Sequence, residues 1–376
     1  MDRWADEVFA KIVRKYEHSA PVAARQGLIP YRGAKGEWIG SPYEGNSWWT
    51  GGFWPALMWQ LYAATKSGLF ADEARRVQAL LKEELLKHHG LSHDVGFMYL
   101  LSFGADKRIT GSEPTTQTLL QAADLLAGRF NPAGFIRAWN GAGRAGWAIV
   151  DCLMNLPLLY WASRHTGDPR YAKIADLHAD TSIRHFVRPD GSCNHIVIFD
   201  PNTGEVLETP GGQGYAPGSS WSRGQAWALY GFALLYYNTK EPRYLKTARR
   251  IADYFLANIR PDGLTDCDFR QPEEEERLDN IAGACAASGL LLLKDLVPNG
   301  EVYREAAMRM LTALDALCAD WSLGQFGILQ KCTAAYHDDG AGRHINIVYG
   351  DYFFIEAICR LRGTDPNLWD ADIDEA

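Results

Sequence analysis

The 376-residue chain has no basic excess, no long apolar run and no paired-cysteine motif, and each lack excludes something. Lys and Arg total 38 against 46 Asp and Glu, a net charge of −8. Nucleic acid is therefore not expected as a partner, since phosphate binding needs a basic face. A bilayer-spanning helix needs roughly 20 apolar residues. The longest run here, 226–237, is shorter and interrupted by Gly and Tyr, so no membrane partner is expected either. The opening MDRWADEVFAKIVRKYEH is charged and amphipathic, without the apolar stretch of a secretory signal. Seven cysteines, at 152, 193, 267, 285, 318, 332 and 359, are scattered and lack CxxC spacing. They read as free thiols in a reducing cytoplasm.

Several chemical signatures are missing too. No GxxxxGKS/T or GxGxxG loop cradles a phosphate, no HExxH holds zinc, and no GxSxG presents a nucleophile. His88, His89, His93 and Asp94 cluster in sequence, but Gly90 breaks any helix face they would share. No metal site is expected. With no Pro/Ser/Gly-rich linker, residues 1–376 are expected to form one domain.

What is present is apolar and aromatic. Apolar residues make 47% and aromatics 12%, with 13 Trp, 17 Tyr and 15 Phe. That excludes a disordered chain, because so much apolar surface offsets chain entropy on burial. An aromatic excess of this kind suits flat amphipathic ligands such as sugars.

The periodicity predicts helices over 2–17, 52–67, 71–89, 95–106, 114–129, 150–166, 169–187, 222–239, 242–259, 277–296, 300–320 and 350–362. Strand-like alternation is confined to Ile196–Phe199. The helices alternate in character. Those over 71–89 and 242–259 carry one apolar stripe and one charged face, which means packing on one side only. The runs DCLMNLPLLYWAS (151–163), GQAWALYGFALLYY (224–237) and NIAGACAASGLLLL (280–293) are almost without charge. A helix apolar all round is buried on all sides. Six inner and six outer helices in alternation describe an all-α (α/α)6 barrel. A weak repeat agrees: TGDPRY (166–171) and TKEPRY (239–244) each open an outer helix, and RPDG follows each, at 188–191 and 260–263.

The polar exceptions fall where inner helices begin: NSWWTGGFW (46–54), HDVGF (93–97), Asp151, GSSWSRGQAW (218–227) and VYGDY (348–352). Helices running the same way bring these starts to one rim, where their dipoles favour an anion. Asp151 is either an N-cap or a catalytic carboxyl, raised in pKa by burial and by a second carboxylate. Asp94 poses the same alternatives and is its natural partner. His195 lies in the strand-like stretch. Arg223 offers a fork for a carboxylate or a structural salt bridge, and Trp221 a sugar platform or core packing. Trp49, just before its helix, is placed to meet a ligand.

HDVGF, IVDCLMNLPLLYWASRHTGDP (149–169) and GSSWSRGQAWALYGFAL (218–234) resemble the unsaturated glucuronyl hydrolases of glycoside hydrolase family 88, over most of the chain from about Trp48 to Leu361. The resemblance implies an (α/α)6 barrel and a cofactor-free reaction. The substrate is a lyase-generated oligosaccharide of glycosaminoglycan type ending in a 4-deoxy-4,5-unsaturated uronic acid. Protonation at C4 and water addition at C5 give a hemiketal that opens, releasing the next sugar and a 5-keto-4-deoxyuronate. By the same resemblance Asp151 is the acid/base and Asp94 the second essential carboxyl. His195, Gln213 and Arg223 contact the unsaturated ring, Trp49 and Trp221 wall the pocket, and Tyr336 is a C-terminal site residue. The chain departs from relatives in QGYAPGSSW (213–221). It also lacks Ser and Lys in AYHDDGAGRHINIVYGDY (335–352), where some sulfate-preferring relatives carry both, so a sulfate preference is not expected, while Arg343 and His344 leave room for anion contacts. The related unsaturated rhamnogalacturonyl hydrolases of family 105 are the alternative, disfavoured by HDVGF. A sugar-binding scaffold, or a sugar isomerase or epimerase on the same barrel, is the reading from another class. Either a monomer or a homodimer fits.

Overall fold

The computed structural model describes residues 3–42, 45–88, 90–274, 276–338 and 340–372. The helix start expected at Asp2, the helix end expected at His89, Asp339 of the 335–352 stretch and the outermost residues of the 1–376 span lie outside them.

Among the described residues the charged-face sequences become outer helices: α1 (Arg3–Gln26), α3 (Gly68–Lys87), α5 (Pro114–Ala127), α7 (Pro169–His185), α9 (Pro242–Ala257) and α11 (Glu301–Leu317). Each buries one stripe. In α3 it is Ala74, Val77, Leu81 and Leu85, and in α9 it is Tyr244, Ala248, Ile251 and Phe255. The two halves of the repeat start alike, with Pro169 and Pro242 in the first turn, but only Asp168 caps, accepting the Arg170 N–H at 2.8 Å.

The apolar runs lie in the inner helices α2 (Phe53–Thr65), α4 (Ala105–Thr110, continuing a π-helix Gly96–Gly104), α6 (Pro157–Thr166), α8 (Ser222–Thr239), α10 (Asn280–Leu296) and α12 (Val348–Arg362). Every residue from 222 to 235, 280 to 293 and 348 to 359 is buried. Each inner helix packs on the next, and α12 returns against α2 to close the ring. Outer α3, α7, α9 and α11 lie on α2, α6, α8 and α10, α5 lies on the π-helix, and α1 lies on α12. This is the expected (α/α)6 barrel.

Boundaries differ where tertiary contacts override propensity. Helix α1 runs nine residues past its expected end, through Pro21, because Ser19, Ala20 and Ala23 continue its buried stripe. The 52–67 and 150–166 helices open as 3-10 turns, Trp49–Gly52 and Val150–Met154. The expected 95–106 helix is mostly π-helical. Short strands were expected only near 196–199, where β6 (Ile196–Phe199) forms. It is the middle strand of an antiparallel sheet, between β5 (Trp147–Ile149) and β7 (Val206–Glu208).

Candidate active site

The two carboxyls are brought together by backbone registers at the rim. Strands β5 and β6 pair Ile149 with Ile196, and the Val150 N–H donates to the His195 carbonyl at 3.0 Å. Asp151 follows one strand and His195 precedes the other, so their side chains meet, with His195 Nε2 3.6 Å from Asp151 Oδ2. Asp94 arrives on the segment entering the π-helix. There the Phe97 N–H donates to Asn155 Oδ1 at 2.7 Å, while Asn155 Nδ2 donates to the Asp151 carbonyl at 3.3 Å. Asn155 thus ties the two carboxyl-bearing segments. Only glycine fits at 96: a Cβ there would lie 2.6 Å from Asn155 Cα. A π-turn beside a functional carboxyl is a recurrent association.

Neither aspartate is an N-cap. Ile149 and Val95 occupy the cap positions of their segments, without side-chain cap bonds. Asp151 is 7% exposed and Asp94 6%. Burial, then the nearby Asp94 charge, pushes the Asp151 carboxyl up to about 7, against a smaller opposing pull from Arg223. Burial raises Asp94 to about 6, opposed by the Ser92 hydroxyl, which donates at 2.7 Å, and by Arg129. The pair is split: Asp94 ionises first and its charge keeps the proton on Asp151.

His195 is buried, and its pKa is depressed to about 3 by burial and then by Arg223, so the ring is neutral. The Gln213 N–H donates to its Nδ1 at 3.0 Å, which assigns the ring proton to Nε2. That Nε2–H faces Asp151 Oδ2, and neither atom has another partner among the described residues. Gly212, at φ +61°, lies against the ring; a Cβ there would come 2.1 Å from His195 Nδ1.

A cleft of about 1040 Å³ opens over the pair. Asp94, Asp151, Trp49 and Gln213 line it. Trp49 stands against Tyr349, ring centres 5.0 Å apart. The Gln213 side chain donates to the Ala334 carbonyl at 2.8 Å.

Four expected ligand contacts are not in its lining: His195, buried behind Asp151, and three that sit a layer deeper. Arg223 is 1% exposed, with its guanidinium spent on Asp279 (3.5 Å), the Tyr349 hydroxyl and the Ala334 carbonyl. It forms the structural salt bridge rather than an open fork. Trp221 is 3% exposed, wedged between the His195 ring at 4.4 Å and the Arg223 guanidinium at 4.7 Å, and so braces His195. Tyr336 is buried between Tyr215 and Arg277 behind Ala334 and Ala335. Arg343 donates to the Glu276 carbonyl and His344 Nε2 accepts from Leu278 N–H, so both serve the loop.

The cleft also holds residues the sequence did not single out: Trp139, Arg144, Arg32 and Asp338. Two more act from beneath. Asp279 caps α10 and fixes Arg223. Asp268, fully buried, accepts from the N–H groups of Tyr215 and Ser220 and from the Ser219 hydroxyl, and so holds the 211–221 loop. Among the described residues no three His, Cys, Asp or Glu side chains are disposed to hold a metal; His89 lies outside them.

Comparison with known proteins agrees with this geometry. The pattern of Glycosyl Hydrolase Family 88 matches residues 33–340. The chain is 37% identical over 336 residues to the unsaturated glucuronyl hydrolase of Bacillus sp. (strain GL1), covering 86% of this chain and 89% of that one. It is 33% identical over 330 residues to the unsaturated chondroitin disaccharide hydrolase of Streptococcus pyogenes serotype M1, covering 84% and 81%. The crystal structure of the Bacillus sp. GL1 enzyme superposes with a TM-score of 0.91 at 32% identity, over 97% of this chain and 99% of that one. The chain belongs to glycoside hydrolase family 88.

Proposed function

We propose that the protein is an unsaturated glucuronyl hydrolase acting on lyase-generated oligosaccharides of glycosaminoglycan type. The observation that carries the reading is the split carboxyl pair, Asp151 held protonated by burial and by ionised Asp94, with the His195 Nε2–H aimed at the oxygen that becomes charged. Attack at an anomeric carbon is not required of such a pair. Asp151 gives its proton to C4 of the unsaturated ring, and positive charge develops at C5 beside the ring oxygen. Water adds at C5 and returns a proton to Asp151. The resulting hemiketal opens to the 5-ketone and releases the next sugar. Ionised Asp94 offsets the cationic transition state. Neutral His195 donates to the Asp151 carboxylate as it forms; its 3.6 Å separation is the kind of loose contact that tightens once substrate is bound.

Trp49 supplies an apolar wall for the sugar ring. The relatives' names, one for chondroitin disaccharides, support the substrate class. The seven cysteines are all free and buried, which supports a reducing, cytoplasmic setting. The test is to mix the protein with lyase-made unsaturated chondroitin and hyaluronan disaccharides and follow the ultraviolet band of the conjugated enol-carboxylate. The band should fall with wild type and persist with Asp151→Asn. An unchanged band with wild type across both substrates refutes the reading.

A further inference from the structure

Two cations in the cleft have no part in the hydration chemistry. Arg144 and Arg32 line the same wall system as the carboxyls. Arg144 is exposed, with its guanidinium 5.4 Å from the Trp139 ring and 5.6 Å from the Trp147 ring. Among the described residues those rings are its partners, with no carboxylate on it. Arg32, on the short strand Arg32–Ala34, likewise has no carboxylate partner there. An exposed arginine is ordinarily loose and self-solvated. Stacking on two indoles fixes the guanidinium plane and leaves its N–H edge available. A fixed planar fork fits the oxygens of a sulfate ester or a carboxylate.

Trp139 lines the cleft too, so one wall offers a sugar platform and an anion fork together. The carboxylates of the lining do not cancel this. Asp94 and Asp151 are buried, Asp338 is the third, and none of the three is within ion-pair distance of Arg144 or Arg32. Gly90 and Asn140 also border a second cleft of about 640 Å³, lined by Arg129 and Arg137 together with Asp124.

We propose that Arg144, seconded by Arg32, forms an anion subsite for the sugar on the leaving side, so that an aglycone carrying a sulfate ester or a carboxylate binds better than a neutral one. The proposal rests on the hydrolase reading for the identity of that sugar. Arg343 and His344 each make one bond to the loop backbone and are not in the lining of this cleft.

The test uses binding, so that it stands apart from turnover. Calorimetry on Asp151→Asn compares three lyase-made ligands: an unsulfated unsaturated chondroitin disaccharide, the same disaccharide with one sulfate ester on the second sugar, and the unsulfated tetrasaccharide, whose next uronate brings a carboxylate. At least one of the two ligands with an added anion should bind about tenfold more tightly than the disaccharide whose second sugar is uncharged, as one charge-assisted hydrogen-bond pair gives. The arm that gains identifies the anion. Adding Arg144→Ala should bring that ratio close to one, and Arg144→Lys should restore part of it. Equal affinity for all three ligands overturns the proposal. So does a ratio that survives Arg144→Ala, and so does failure of all three to bind. Failure of the hydrolase reading is separately visible, as wild type leaving the ultraviolet band intact.

Discussion

Asp151 holds its proton because it is buried and has a negative neighbour, and that arrangement has a consequence for stability. Its folded pKa is about 7 against 3.8 for the free group. Below pH 3.8 both folded and unfolded chains carry the proton and there is no penalty. As pH rises to about 7 the unfolded chain loses the proton while the folded one keeps it, so stability falls, by on the order of 4 kcal/mol in full. Asp151→Asn should therefore abolish turnover yet raise Tm, and by more at pH 8 than at pH 4. Melting curves at the two pH values check this. A Tm that drops equally at both would mean the carboxyl is a structural partner.

The same pair sets the pH profile. Turnover needs Asp151 protonated, a form lost above about 7, and Asp94 ionised, a form lost below about 6. The maximum in kcat should lie between those values. Asp94→Asn removes the charge that raises Asp151, so the residual activity should lose its alkaline limb at lower pH than wild type. Initial rates from pH 4 to 9 for both proteins decide it.

Among the elements, the 211–221 loop is the one whose small changes reach the chemistry. Gly212 lies against His195 at a positive φ with no room for a Cβ. Gly212→Ala should tilt the ring away from Asp151 and lower kcat by about tenfold to a hundredfold, while moving Tm by only a few degrees, since the loop lies outside the barrel core. Kinetics beside a melting curve separate the two effects. Parallel losses in both would make the loop a folding element instead.

The elements also mark how far the chain was readable in advance. Outer and inner helices were legible because charge on one face and charge on none are direct imprints of one-sided and all-round burial, as in α9 and α10. Asp94 and Asp151 stood out as the polar exceptions in apolar surroundings. The π-helix at 96–104 was not legible, because it is stabilised by Asn155, 58 residues on, rather than by local propensity. Arg223 and Trp221 were placed at the correct rim but not at the correct depth. Sequence position locates a Cα, whereas the direction of the side chain depends on Asp279 and His195 arriving from other hairpins. Trp139 and Arg144 were missed because a Gly-rich loop, WNGAGRAG, gives no periodicity to read.

For the molecule as a whole, the net charge of −8 says little about the site. Much of the charge lies on the outer helices and loops, while the inner ring contributes a largely apolar core, as in 224–235 and 280–293. That separation lets an acidic protein keep two guanidinium groups, Arg144 and Arg32, in the cleft lining. It also supplies the low-dielectric setting in which a carboxyl can stay protonated near neutrality.

The central claim is that this setting drives hydration across C4=C5 and not displacement at the anomeric carbon. The direct measurement is brief turnover of an unsaturated disaccharide in D2O, with the product's uronate-derived half read at once by mass and proton spectra. Delivery of the Asp151 proton to C4 predicts one deuterium bound at C4 and loss of the enol-carboxylate band in step with sugar release. Release of the second sugar with the double bond intact and no deuterium at C4 would contradict it.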